Sequence, residues 1–153
     1  MQMIPRTSDG QLLFILNNVA KMKKDTSLGS RIAEVHNASS LFTGDAGSGE
    51  SNARKFLFQN DLVEAIIALP ENMFYNTGLG TNIWILSNNK EERRKGKVQL
   101  IDASSMKSQL RKNMGKKNCE LTLEIRSEIL RIFLEMEESD VSHIYTNDDF
   151  GFW

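Results

Sequence analysis

The stretch LVEAIIALPENMFYNTGLGTNIWILS, residues 62–87, decides the fold. Residues 62–69 are almost continuously apolar, which is typical of a strand covered on both faces of a sheet. TNIWILS, residues 81–87, has the composition of a second strand. The link between the two, residues 70–80, has no room for a crossover helix. We therefore predict that these strands are antiparallel neighbours.

Further elements flank this pair of strands. RIAEV at residues 31–35 and KVQLI at residues 97–101 are predicted to be short strands. Helical spacing of apolar residues predicts helices from residue 12 to about residue 24, from about 51 to 60, and from about 121 to 136. Ser8 or Asp9 can cap the first of these helices. Strands alternating with helices predict an α/β fold: a mainly parallel sheet with one reversed strand near its edge, followed by a C-terminal helix.

Composition sets only broad limits on function. The 153 residues can form one domain with a real core, and a net charge of −1 implies neither nucleic acid nor membrane. No apolar stretch approaches the roughly 20 residues that span a bilayer, so we expect no membrane partner. The single cysteine, Cys119, excludes an internal disulfide and suits a reducing compartment. We therefore expect a cytoplasmic protein.

A glycine-rich loop raises the possibility of nucleotide binding. Gly44 and Gly49 have the spacing of a phosphate-binding loop, and Ser51 stands where such a loop keeps its magnesium-binding hydroxyl. Glu50, however, replaces the lysine that neutralises the phosphates, and its charge repels them. A nucleotide hydrolase is therefore the least favoured alternative. We expect a loop in which Ser48 or Ser51 caps the next helix.

The loop at residues 70–80 is a better candidate for a binding site. It follows the buried strand and carries two aromatic residues, Phe74 and Tyr75, and then Asn76 and Thr77. Strand ends in α/β sheets are common ligand sites, and an aromatic face beside amide and hydroxyl groups suits a planar base. The alternative is that Phe74 or Tyr75 closes the end of the sheet as part of the core. Position in the sequence favours neither.

A basic segment spans residues 106–118. It contains no acidic residue and carries five cations: Lys107, Arg111, Lys112, Lys116 and Lys117. Such a cluster can neutralise the phosphates of nucleic acid, although a solvated basic loop is the commoner explanation. The only histidines, His36 and His143, belong to no metal-binding motif, so we predict no metal site.

Several of these segments together resemble a known family. SRIAEVHNASSLFTGDAGSGESNARKFL, NDLVEAIIALPENMFYNTGLGTNIWILSNNK and GKVQLIDAS resemble the modification (methylase) subunit of type I restriction-modification systems. These subunits are DNA adenine-N6 methyltransferases that use S-adenosyl-L-methionine. The resemblance implies a partial Rossmann-like methyltransferase sheet with an antiparallel hairpin near one edge. Residues 1–104 would be the later half of the methyltransferase domain, and residues 105–153 a basic linker and the start of a C-terminal helical region.

The resemblance also implies roles for individual residues. Phe74 would stack on the everted target adenine, with Asn76 and Thr77 as nearby polar groups. The methyl donor would be bordered by the start of the first helix, where the candidate contacts are Ser8, Asp9 and Leu12. DNA, the specificity subunit and the restriction subunit would be the partners.

One departure from the family pattern concerns the reaction itself. The family motif Asn-Pro-Pro-Phe/Tyr holds the adenine amine in line with the donor methyl group. The chain has only two prolines, Pro5 and Pro70, so the motif is absent and no catalytic residue is assigned. We therefore expect an inactive fragment that lacks the first half of the sheet. Its exposed edge should make it form a homodimer, swap elements with another copy, or be only marginally stable alone. The alternative is a non-catalytic module that binds DNA or a protein partner.

Overall fold

The structure is a computed structural model that describes residues 3–150. The helices are α1 Gln11–Ala20, α2 Gly49–Gln59 and α3 Leu123–Glu135. The strands are β1 Arg31–Asn37, β2 Val63–Leu69, β3 Thr81–Ser87, β4 Lys97–Asp102, β5 Ser108–Met114, β6 Lys117–Glu120 and β7 Ser142–Thr146. The four strands predicted from the sequence are all present, and the fold is α/β as predicted.

A five-stranded sheet in the order β1-β3-β2-β4-β7 forms the centre of the molecule. β2 and β3 pair antiparallel, which confirms the predicted hairpin. The expectation of a mainly parallel sheet is wrong, because only β2 and β4 pair in parallel. The strands β1, β2 and β4 run in the same direction. The reversed strand β3, however, lies between β1 and β2, so β1 has no parallel neighbour.

Helices cover both faces of the sheet. On one face, α1 and α2 bury Leu12, Ile15 and Leu57 against Trp84 of β3. On the other face, α3 buries Ile129, Ile132 and Phe133 against β2 and β4. Six of the seven residues of β2 are buried, as its continuous apolar run predicts. Burying each large apolar side chain contributes roughly 1.5–3 kcal/mol, so both helix layers are held firmly against the sheet.

The edge of the sheet at β1 is open. β1 is the terminal strand, and within residues 3–150 it pairs only with β3. Its residues alternate between partly covered and exposed, and Val35 is 53% exposed. A terminal strand presents unpaired backbone groups to any neighbour that can pair with it. The edge of β1 is therefore the natural place for contact with another polypeptide segment.

The C-terminal part contains elements that the sequence did not predict. The basic segment, expected to be a linker, contributes to a two-stranded sheet formed by β5 and β6. β7 pairs with β4 and so adds a strand from beyond residue 104 to the main sheet. The domain boundary at that position remains a prediction. Both β5 and β7 are rich in polar residues, so no hydrophobic pattern marks them.

Two features are absent from residues 3–150. No helix in this part of the chain has the length and apolar character needed to cross a bilayer. The same residues contain no group of three or more His, Cys, Asp or Glu side chains that could hold a metal ion.

Candidate nucleic-acid interface

The loop after β2 places its aromatic residues at the surface. Phe74 and Thr77 form an antiparallel bridge that folds the loop back on itself. Phe74 is 38% exposed and Tyr75 is 58% exposed. Neither ring closes the end of the sheet, so the core alternative does not apply. Asn76 is exposed at the tip, and Thr77 Oγ1 accepts a hydrogen bond from Leu79 N at 3.1 Å.

Phe74 and Thr77 line a groove of about 540 Å³ beside the open edge of the sheet. Phe74 and Phe14 are its aromatic residues, and most of its other side chains are polar. The complete lining consists of Gln11, Phe14, Asn18, Glu34, Val35, His36, Asn37, Phe74, Thr77 and Thr81. Thr81 Oγ1 is buried and has no hydrogen-bond partner among the described residues. The groove therefore combines ring surfaces with polar groups, which suits a nucleobase.

The start of α1 meets the end of β1 at this groove. Gln11 Oε1 accepts a hydrogen bond from Asn37 N at 2.8 Å, which ties the helix to the strand. Asp9 Oδ1 accepts a hydrogen bond from Gln11 N at 3.2 Å, although Gly10 rather than Ser8 or Asp9 is the helix N-cap. Ser8 is exposed, whereas Leu12 is buried in the core. The residues predicted to contact the methyl donor, Ser8, Asp9 and Leu12, thus lie next to Gln11 of the groove in the sequence. Their role stays a prediction.

A carboxylate–imidazole pair in the groove was missed by the sequence analysis. Glu34 Oε2 lies 2.9 Å from His36 Nε2, and both side chains are largely buried. Asn18 of α1 donates a hydrogen bond to the other oxygen of Glu34. The alternation of β1 could have indicated this pair, because residues two apart on a strand share a face. Its hydrogen bonds link α1 to the open strand.

The five predicted phosphate-binding cations all belong to the segment that forms the β5–β6 hairpin. Lys107, Arg111, Lys112 and Lys116 are exposed, and Lys117 is partly covered. The hairpin lies against the loop after β2, since Lys116 N donates to the carbonyl oxygen of Tyr75 at 2.9 Å. The structure thus brings the basic segment next to the loop of residues 70–80, called the aromatic loop below because it carries Phe74 and Tyr75. The sequence separates the two by about forty residues and gives no sign of this contact.

The glycine-rich loop does not form a phosphate site. Ser48 Oγ accepts a hydrogen bond from Ser51 N at 3.2 Å, so Ser48 caps α2 as predicted. Glu50 is buried and accepts hydrogen bonds from Arg6 N and Arg6 Nε at 3.1 and 2.9 Å. These bonds lower the pKa of Glu50 to about 2. Glu50 is therefore ionised at neutral pH and paired with Arg6, so this position carries a carboxylate and not the lysine of a phosphate-binding loop.

Comparison with known proteins places the chain in a family. Residues 1–149 match the family described as N-6 DNA Methylase. A methylase subunit of the type I restriction enzyme MjaVII, from Methanocaldococcus jannaschii, is 48% identical over 58 residues, which are 38% of this chain and 10% of the relative. The HindI methylase subunit of Haemophilus influenzae is 45% identical over 56 residues, 37% of this chain and 12% of the relative.

A solved structure supports the same assignment. The methyltransferase subunit of a type I restriction-modification system from Streptococcus thermophilus is 27% identical, with a TM-score of 0.78. The match covers 93% of this chain and 28% of that one, so the chain spans well under a third of its length. The likeness confirms the predicted partial methyltransferase sheet. Together with the family match over nearly the whole sequence, it shows that this chain belongs to the N-6 DNA methylase family and is similar to the methylase subunits of type I restriction enzymes.

Proposed function

We propose that this chain is part of a DNA adenine-N6 methyltransferase subunit of a type I restriction-modification system, and that it supplies the surface that receives the target base. The observation that carries this proposal is the half-exposed ring of Phe74, which stands beside Thr77 at the groove. An enzyme that modifies a base must first take it out of the DNA stack. An exposed ring next to polar groups can hold the everted adenine.

The roles of the groove residues follow from their chemistry. Phe74 offers one ring face to the adenine, and base–aromatic stacking is worth roughly 1–3 kcal/mol. The side chains of Thr77 and Asn76 supply hydrogen-bonding groups for the edge of the base. The Asn-Pro-Pro-Phe/Tyr motif, which holds the adenine amine in the family, is absent from the sequence. We therefore propose that these 153 residues do not transfer a methyl group by themselves.

The methyl donor, S-adenosyl-L-methionine, supplies the methyl group in this family. The start of α1 has suitable chemistry for part of it, because Asp9 offers a carboxylate and Ser8 an exposed hydroxyl. The carboxylate of Asp9 accepts hydrogen bonds from Gln11 and keeps lone pairs for a ligand. The side chain of Leu12 is buried, so only its main chain could face the donor.

The role of Phe74 is tested in the full-length methyltransferase subunit that contains this sequence, by measuring the transfer of a labelled methyl group to DNA. We expect Phe74→Ala to lower the rate about 5- to 100-fold, because it removes one base-stacking interaction. Phe42→Ala is the matched control, since Phe42 is an exposed ring that does not line the groove. An unchanged rate in Phe74→Ala would remove this residue from the base site. Labelled product formed by the 153 residues alone would contradict their proposed inactivity.

A second candidate function is a non-catalytic module that binds DNA or a protein partner. The open edge of β1 and the exposed cations of the β5–β6 hairpin favour this candidate. In either case, we propose that the partners are DNA and the specificity and restriction subunits of the complex. A second copy of the chain, paired along β1, is the proposed partner of the isolated chain.

A further inference from the structure

The tip of the β5–β6 hairpin is fixed to the aromatic loop by main-chain hydrogen bonds. Lys116 N donates to the carbonyl oxygen of Tyr75 at 2.9 Å, and Asn118 N donates to that of Asn72 at 3.0 Å. Asn72 has a left-handed backbone with φ of 58°, which turns the loop towards the hairpin. Because these bonds join backbone to backbone, they hold the loop and the hairpin tip at a short main-chain distance.

Gly115 makes this close approach possible. Its φ is +63°, and a Cβ atom placed on it would lie 2.6 Å from the carbonyl oxygen of Tyr75. A side chain at this position would therefore have to push the hairpin away from the loop. Gly96 also has a positive φ, of +69°, but a Cβ atom there would meet nothing within 4 Å. The two glycines have the same backbone requirement and differ in contact, which makes them a matched pair.

The hairpin also places a cation against the ring of Tyr75. Lys117 Nζ lies 5.8 Å from the centroid of that ring, within the range of a cation–π interaction. Tyr75 remains 58% exposed, so a ligand can reach it. Phe74, the preceding residue, lines the groove, whereas Tyr75 does not. The ring of Phe74 thus lies at the groove, and the ring of Tyr75 lies against Lys117 of the hairpin.

We propose that Tyr75 is a second nucleotide-stacking residue, which the β5–β6 hairpin holds in place beside the groove. It stacks on the nucleotide next to the everted adenine, and Lys116 and Lys117 contact the phosphate of that nucleotide. This inference rests on the proposed function in so far as DNA is the ligand. A ring that carries a lysine on one side and is open elsewhere matches a nucleotide, which pairs an aromatic base with a negative phosphate. An uncharged apolar partner would gain nothing from the two lysines.

Binding of single-stranded DNA to the 153-residue chain tests this proposal directly. The probe is a fluorescein-labelled thymine oligonucleotide of about 12 nucleotides, a length typical of single-strand sites, read by fluorescence anisotropy. We expect Tyr75→Ala to weaken affinity about 5- to 100-fold, and Tyr75→Phe to preserve it because the ring remains. Lys117→Ala should reduce the slope of log affinity against log salt by about 0.7, the value for one phosphate on a single strand.

The glycine pair separates positioning from charge. Gly115→Ala removes no charge and no ring, yet it should weaken binding because the hairpin no longer holds Tyr75. Gly96→Ala imposes the same backbone strain without the contact, so its affinity should equal that of the unmodified chain. Thermal melting of both variants checks that they are folded. Equal affinities for the two glycine variants would overturn the positioning role of the hairpin.

Two other outcomes would overturn the proposal: no salt-sensitive binding by the unmodified chain, or unchanged affinity in Tyr75→Ala. Failure of the proposed function gives a different pattern. In that case the full-length subunit transfers no methyl group, or Phe74→Ala leaves its rate unchanged, while Tyr75→Ala still weakens binding of the thymine oligonucleotide by the 153-residue chain. The two proposals can thus fail independently.

Discussion

Replacing Arg94 by methionine tests how the start of β2 and the end of α3 are held together. The Arg94 side chain is fully buried, with Nε 3.5 Å from Glu64 Oε1 and Nη1 3.2 Å from Gln99 Oε1. Nη2 donates to the carbonyl oxygen of Phe133, and the guanidinium lies 4.2 Å from the centroid of that ring. Methionine keeps an unbranched, flexible side chain, although a shorter one, and removes the charge and the donors. The substitution therefore removes the polar interactions together with the packing of the guanidinium on Phe133.

The expected loss is large because Glu64 is also fully buried. Its carboxylate would keep Arg31 as its hydrogen-bonding cation, and Arg31 is a half-exposed residue whose Nη2 donates to Glu64 Oε1 at 3.1 Å. Breaking a buried ion pair by removing one partner typically costs about 3–5 kcal/mol. A domain of this size has a total stability of only about 5–15 kcal/mol. At about 2–4 °C per kcal/mol, the melting temperature should fall by about 6–20 °C.

The double variant Arg94→Met with Glu64→Leu separates two costs: the cost of leaving the Glu64 carboxylate buried without Arg94, and the cost of the lost side-chain packing. Replacing both members of a buried ion pair by apolar residues is often close to neutral, so we expect the double variant to regain about 2 kcal/mol or more. Urea unfolding gives the free energies of all variants. Arg93→Met is the control, because this exposed arginine donates to the carbonyl oxygens of Leu134 and Glu135 and should cost at most about 1 kcal/mol. A cost below about 1 kcal/mol for Arg94→Met, or a double variant no more stable than the single one, would refute the reasoning.

Two further predictions concern acid sensitivity and self-association. The pKa of Glu50 is lowered to about 2 by the hydrogen bonds from Arg6, so its contribution to stability is complete above about pH 4.5 and is lost as the pH falls towards 2. Glu50→Gln should therefore lower the free energy of unfolding at pH 7, and below pH 4.5 this free energy should depend less on pH than in the unmodified chain. The measurement is the urea midpoint of unfolding at each pH, and the same pH dependence in both proteins would contradict the prediction. Val35→Lys places a charge on the open edge of β1 and should shift the chain from dimer to monomer in analytical ultracentrifugation, whereas Leu28→Lys, at an exposed position off the sheet, should not. Equal dimer fractions in these two variants would remove β1 from the interface.

The central hairpin could be predicted because its signals are local. The apolar run of β2, the short link and the apolar pattern of β3 lie within 26 consecutive residues, and no distant contact is needed to interpret them. The position of β1 could not be predicted in this way. Nothing in RIAEVHN states whether this strand pairs with β2 or with β3, because both partners present apolar residues. The mainly parallel sheet expected from the sequence failed for this reason.

The candidate site was predictable in part. Phe74, Asn76 and Thr77 stand out because an aromatic residue and polar groups follow a buried strand, and the structure places Phe74 and Thr77 at one groove. Gln11 and Glu34 also line this groove, but a single glutamine or glutamate in a sequence carries no signal of its own. Their importance arises only where α1 and β1 meet.

The sequence by itself determined the family, the hairpin and the identity of the exposed aromatic loop, because each of these is encoded in contiguous residues with a characteristic order. Only the tertiary structure decided that the basic segment forms a hairpin and that this hairpin is fixed to the aromatic loop. The physical reason is that main-chain hydrogen bonds make this contact, through Lys116 and Asn118, and the pattern of side chains does not encode them. The glycine at position 115 is visible in the sequence, but the sequence does not show why a glycine is needed there. The structure gives the reason, because the carbonyl oxygen of Tyr75 lies where a side chain would begin.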